Sequence, residues 1–393
     1  MQPMLSDQTL KYGEEIITAL LGVDSLYRCE SGDEEGLAVI NLDGEGCYQP
    51  APFGSYADAS HRFEMLKKAA SDLPEADRRR YYDQLCHSTL SFIRWRQGDL
   101  DLAGQLENFL HVPAEPAQDS QLDQLSDEMH TLLNQMGYSG SLEQQCAAWE
   151  ARNRVPADEV AGVIGELMDE AWNRTEERLH IPAPRSDGMQ IKTVSGMAYN
   201  ARCNYPERTV ELNIDPILTR QALKHLTVHE CYPGHYVQFK LREAWYREGL
   251  APADGLLSVV NSASSSTFEG IADNGMNVID WVEDDNDRLN MLMNRYRAGI
   301  GTGAAWRMHS LKQPVDQVRD WLRKRSLVGG EGWVDNRMRF LSADSRAVLI
   351  WSYWWGEASV APVWQRVPVE RRTEFLQFLY GRMHSPQTVG MFQ

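Results

Sequence analysis

The sequence predicts a mainly α-helical protein carrying a small antiparallel sheet, and three observations lead there. Most of the 393 residues place apolar side chains at helical spacing. One segment, Arg208-Thr209-Val210-Glu211-Leu212-Asn213-Ile214, instead alternates polar and apolar as a half-buried strand does. The apolar fraction, 42%, is ordinary for a globular chain, and a chain of this length can bury a large core.

Residues 58–97 have helical spacing with a break at Asp72-Leu73-Pro74. Residues 120–137 and 142–179 predict two more helices, the second long and amphipathic. A Pro-rich joint at residues 181–188 marks a soft boundary between an N-terminal helical lobe (1–184) and a second lobe (185–393). Beyond it, the strand 208–214 has Ile191–Tyr199 as its expected partner, with a turn near Asn204-Tyr205-Pro206-Glu207. Asp215-Pro216 reads as the N-cap and first residue of a helix. Further helical patterns cover 217–246, 254–281, 285–310, 314–326, 344–361 and 368–383. No internal repeat or low-complexity tract interrupts them.

The formal net charge is −17. It repels phosphate backbones and anionic membrane surfaces, and no basic stripe with aromatics offsets it, so neither nucleic acid nor membrane is an expected partner. The N-terminus lacks the basic and apolar regions of a signal peptide, and no apolar run approaches the roughly 20 residues of a membrane helix. The six cysteines form no CxxC pair and read as reduced thiols of a cytoplasmic protein.

The chemistry concentrates in Thr227-Val228-His229-Glu230-Cys231-Tyr232-Pro233-Gly234-His235 and in Phe268-Glu269-Gly270-Ile271-Ala272-Asp273. Two imidazoles and a carboxylate are the three protein ligands of a catalytic zinc, and a further carboxylate can take a proton from its water. In a His-Glu-x-x-His helix the two histidines are four apart and share a face. Here His235 lies six residues after His229, about 120° away around a regular helix. Pro233 and Gly234 can distort the helix into a bulge that restores convergence. The rival pair, His225 and His229, has regular spacing. A third ligand is expected from Glu269, and Asp273, one turn later, can accept the second ring N–H of a ligand histidine. His225 reads as a second supporting residue, and Cys231 as a packing residue.

These residues resemble a family of bacterial proteins called domain of unknown function 885, grouped with the zincin metallopeptidases. Its motif His-Glu-x-x-Pro-Gly-His-x-x-Gln is matched by His229, Glu230, Pro233, Gly234, His235 and Gln238. Glu269-Gly270, Arg297-Ala298 with Thr302-Gly303, and Tyr353-Trp354-Trp355-Gly356 are similar to later family segments. The resemblance covers about residues 190–393. It implies a zincin-like helical fold with an active-site cleft. The Glu-x-x-x-Asp pattern is also similar to that of thermolysin-like and angiotensin-converting-enzyme-like peptidases, which implies Glu269 as the third ligand of one Zn2+ per chain. The chain is shorter than the family norm in its N-terminal half, and has Ile271-Ala272-Asp273 where a Trp-containing stretch is common.

The expected function is zinc-dependent hydrolysis of amide or peptide bonds in small peptides, with Glu230 as general base. Two alternatives keep the scaffold: action on a non-peptide amide metabolite, and an inactive zincin-like binding module. Tyr353 and then His384 are the candidate oxyanion donors. Arg297 and Arg346 are candidates for a substrate carboxylate, strand 208–214 for pairing with an extended substrate, and Tyr199 with Asn200 for lining the site. No Gly-x-Ser-x-Gly elbow or phosphate-cradling loop is present, and Gly299-Ile300-Gly301-Thr302-Gly303 reads as close helix packing.

Overall fold

The computed structural model describes residues 5–31, 37–180 and 189–392. The Pro-rich joint at 181–188 lies outside the described residues. In chain order the protein runs α1 (Asp7–Ser31), β1 (Ala38–Asn41), α2 (Tyr56–Ala70), α3 (Ala76–Arg96), α4 (Leu102–Gln105), α5 (Asp119–Gln135), α6 (Leu142–Asn153) and α7 (Val160–Leu179). Strands β2 (Gln190–Val194), β3 (Ala201–Asn204) and β4 (Thr209–Asn213) precede α8 (Arg220–Glu230) and α9 (His235–Arg247). A short strand β5 (Leu257–Val259) leads to α10 (Ser265–Asp273) and α11 (Gly275–Val278). The rest is helical: α12 (Asp285–Ala305), α13 (Val315–Arg325), α14 (Gly330–Ser342), α15 (Asp344–Ala347), α16 (Ile350–Arg366), α17 (Arg372–Tyr380) and α18 (Pro386–Val389). The fold is mainly α, as the apolar spacing predicts. Among the described residues no helix is long and apolar enough to cross a membrane.

The chain divides into two compact units, each drawn from separate stretches. The first comprises Met1–Ala114, Gln238–Ile271 and Trp355–Gln393; the second comprises Glu115–Val237 and Ala272–Trp354. This differs from the expected division at 184/185. The reason is packing within the second unit: α7 lies against α8, and α5 against α12, so residues 115–179 share a core with segments far downstream.

In the first unit α2 packs on α3 and on α1. The antiparallel pair β1–β5 joins two of its separate stretches, with Asn41 opposite Leu257. Helix α1 escaped the sequence reading because it has no narrow apolar stripe. Ile16, Ile17 and the run Ala19–Asp24 are all buried, so burial wraps most of its circumference.

In the second unit the sheet order is β2-β4-β3. Strand β4 occupies the strand predicted at 208–214, but its partners differ from expectation. Only β2, at Gln190–Val194, comes from the predicted partner segment, and it runs parallel to β4. The antiparallel neighbour is β3, so this sheet is mixed. Three helix boundaries also move. The helix expected over 142–179 breaks at Arg154, whose backbone is extended ahead of Val155-Pro156. The Val155 amide donates instead to the Leu218 carbonyl at 2.9 Å. Helix α8 starts at Arg220, capped by the Thr219 hydroxyl on the Ala222 amide at 3.1 Å. Asp215, the expected cap, accepts from the Gly196 amide at 2.7 Å. The segment 254–281 splits into a single helical turn, β5, α10 and α11. The glycines of α12 do serve close packing: added Cβ atoms would meet Leu122, Ile350 and Trp321 at 2.6–2.9 Å.

Candidate metal centre

Helix α8 carries His225 and His229 one turn apart, with Glu230 beside them. It is fixed by buried Leu223, Thr227 and Val228, and by Lys224, whose ammonium meets Asp287 at 2.6 Å and Glu283 at 2.8 Å. The helix then ends. The expectation of one helix with a bulge gives way to a full break, in which Cys231–Gly234 separate α8 from α9 and the Tyr232–Pro233 peptide is cis. The Cys231 amide donates to Thr227 O and the Gly234 amide to Val228 O at 2.9 Å, so the chain folds tightly onto its last turn.

Gly234 is required by crowding. It has no positive φ, but an added Cβ would sit 1.8 Å from the His229 carbonyl oxygen. The tight return makes His235 the first residue of α9 and brings its ring centroid to 4.6 Å from that of His229, nearly perpendicular at 81°. Cys231 is fully buried, and burial together with Glu230 pushes its thiol up, as befits a packing residue.

Helix α10 brings the carboxylates. Asp273 accepts from His229 Nδ1 at 2.8 Å and lies 3.6 Å from His225 Nε2. An ionised carboxylate can only accept, so His229 carries its proton on Nδ1 and turns a lone pair outward on Nε2. Glu269, one turn before Asp273, shares that helix face. Ligand atoms of His229, His235 and Glu269 all lie within 4.8 Å of one another, and all three residues are buried. A second group, His225, His229 and Asp273, meets the same distance limit. In that group Asp273 is already engaged as the hydrogen-bond acceptor of His229, and burial pushes the His225 imidazole down to about 4. Two imidazoles and one carboxylate at 7–8% exposure are the donor chemistry of a three-ligand zinc site.

Glu230 accepts from the Cys203 amide of β3 at 2.8 Å through Oε2. This bond lies on the side of β3 away from β4. The Asn213 amide donates to Asn200 O at 2.8 Å, so by alternation Arg202 and Asn204 turn their polar groups to β4, while Ala201 and Cys203 turn theirs away. Strand 208–214, expected to pair with a substrate, is the central strand and has no open edge; β3 has one.

Two roles inferred from sequence are corrected. His384 is buried with both nitrogens used: Nε2 bonds Phe378 O at 2.8 Å and Nδ1 bonds Thr388 Oγ1 at 3.2 Å. Burial and the neighbouring Arg78 hold it neutral, so it has no N–H left for an oxyanion. Arg297 donates to Val328 O and stacks on Trp333 at 4.9 Å. Burial pushes it down to about 10, against the pull of Glu150, and it serves as an internal tie.

Tyr199 donates its hydroxyl to Glu211 at 2.5 Å, within a cross-strand row of Lys192, Glu211 and Arg202. Burial and that bond push Tyr199 up to about 12, with Arg202 and Arg346 pulling the other way. Asn200 accepts from Asn336 at 2.6 Å. Tyr353 packs its ring edge-on to Phe340 and lies one turn before Gly356 on α16. In the first unit, Gly356 meets Gly270 so closely that a Cβ on Gly270 would lie 2.1 Å from Gly356 O. Gln238 had no assigned role in the sequence reading. It donates to the Phe268 carbonyl at 3.1 Å and so ties α9 to the helix of Glu269.

No family model and no curated protein matches the chain. Among solved structures it is similar to one described as "the putative lipoprotein from Colwellia psychrerythraea", at 12% identity and a TM-score of 0.54, over 85% of this chain. The match spans 65% of that chain's length. At this identity the likeness is one of fold.

Proposed function

We propose that the protein is a zinc-dependent hydrolase of amide or peptide bonds in small peptides. The convergence of His229, His235 and Glu269 supports this reading most directly. His229 through Nε2, His235 and Glu269 would hold the ion. When bound, zinc supplies a Lewis acid that polarises a carbonyl and lowers the pKa of water to about 7.

The chain's own groups do the rest. Asp273 keeps the Nδ1 proton on His229 and so fixes which nitrogen faces the ligands. Glu230 is held by the Cys203 amide on Oε2, which leaves Oε1 to take a proton from water and deliver it to the departing amine nitrogen. The outward Ala201 backbone groups and the Cys203 carbonyl of β3 offer an extended substrate a strand to pair with, beside Glu230. Tyr353 remains the proposed oxyanion donor. A binding module without turnover has no use for a proton acceptor placed beside its ligands, which favours an enzyme.

Glu230→Gln tests this reading. The expected outcome, in a screen over short peptides, is a fall in kcat of about 10²–10⁴-fold with one zinc per chain retained. Unchanged turnover in the variant would overturn the role of Glu230. Zinc binding with no hydrolysis of any peptide or amide by the unmodified protein would point to the binding module.

A further inference from the structure

The first unit holds a second polar cluster that shares no donor atom with the candidate metal centre. Arg242 of α9 is 2% exposed. Its Nη2 donates to Gln238 Oε1 at 3.3 Å, and its guanidinium lies over the Phe268 ring. Nε and Nη1 have no hydrogen-bond partner. Among the described residues no carboxylate comes within ion-pair distance of it. The groups that act on its charge are Tyr81, Asp254 and Tyr380.

Arg78 of α3 is fully buried beside them. Its Nε meets Asp77 at 3.0 Å and its Nη2 donates to Met383 O at 2.8 Å, but Nη1 has no partner. Asp254 accepts the Tyr82 hydroxyl on Oδ1 at 2.7 Å and leaves Oδ2 unbonded. Burial pushes the Asp254 carboxyl up, although Tyr82, Arg78 and Arg242 oppose the shift.

A buried guanidinium without an ion-pair partner is one of the costliest arrangements in a protein interior, and each unmade donor adds to that cost. The charge of Arg78 is met by Asp77, while Arg242 has no carboxylate at ion-pair distance among the described residues. We propose that Arg242, with the open N–H of Arg78, binds a small monovalent anion, a halide or a carboxylate, inside the first unit. The competing arrangement fills the space with water.

The test uses the whole protein at constant ionic strength, with bromide, formate or bulky gluconate as the sodium salt. A saturable rise in the thermal midpoint of about 2–5 °C in bromide or formate over gluconate is expected. Arg242→Gln should abolish the difference. Crystals of the unmodified protein grown in bromide should show an anomalous peak against Arg242 Nε and Nη1, a readout that does not depend on the variant folding. A response to formate alone identifies a carboxylate as the occupant. Equal midpoints in all three salts, with no anomalous peak, would overturn the proposal.

Discussion

The donor cluster of His229, His235, Glu269 and Asp273 and the Arg78–Arg242–Asp254 cluster are both buried and polar, yet they were built by opposite routes. The first draws on two short stretches of sequence, joined by the His229–Asp273 hydrogen bond between α8 and α10 and shaped by one crowded glycine. The second gathers groups more than 150 residues apart, among Tyr81, Tyr82 and Tyr380. In the first, the acceptor for the His229 ring is supplied by the chain. In the second, a guanidinium is left with two nitrogens that have no hydrogen-bond partner. Internal supply of partners suits the proposed cation site, and their shortage is what the proposed anion site rests on.

The largest way to break the first cluster is Gly234→Ala. A Cβ 1.8 Å from a backbone oxygen cannot be accommodated by moving a side chain. The turn must open, at a cost of about 3 kcal/mol or more, and the protein should lose its zinc as well as stability. Chemical denaturation and metal analysis of the variant check this. Retention of both would show that crowding at this turn does not set the convergence of the two rings.

A smaller effect is expected from Asp273→Asn. An amide can present its oxygen to His229 Nδ1 but carries no charge, so zinc affinity should fall about 10–100-fold while the fold persists. Competition with a chromophoric chelator reads this directly. Unchanged affinity would remove Asp273 from the account of the site.

The smallest effect concerns the second cluster. Burial raises Asp77, but Arg78 and Arg382 outweigh it and bring the carboxyl down to about 2. Its folded value lies below the unfolded value near 4, so its contribution is present above pH 4 and disappears as pH falls toward 2. Asp77→Asn should therefore cost about 2 kcal/mol at neutral pH and match the unmodified protein near pH 2. Denaturation across that window checks the sign. A difference that grows toward low pH would contradict it.

What the sequence disclosed follows the same division. Helices α2, α3, α5, α12 and α13 were legible from apolar residues at helical spacing. Helix α1, buried nearly all round, was not, and α14 was missed as well. The break between α6 and α7 could have been read from Pro156. The central position of β4 could not, since alternation reports which faces are buried and says nothing about which edges are paired. His229, His235, Glu269 and Asp273 were legible as residue types at a spacing. The Gly234 signal was read as backbone freedom, whereas its physical basis is lack of space. His384 and Arg297 misled because a polar side chain looks alike in sequence whether it waits for a ligand or is already bonded within the core.

The central claim is that His229, His235 and Glu269 share one ion. Zinc-edge X-ray absorption on protein loaded with one equivalent of zinc tests it most directly. The account predicts a nitrogen and oxygen shell at about 2.0–2.2 Å containing two imidazoles, with one imidazole lost in His235→Ala. A shell that keeps both imidazoles in that variant, or a protein that takes up no zinc, would contradict it.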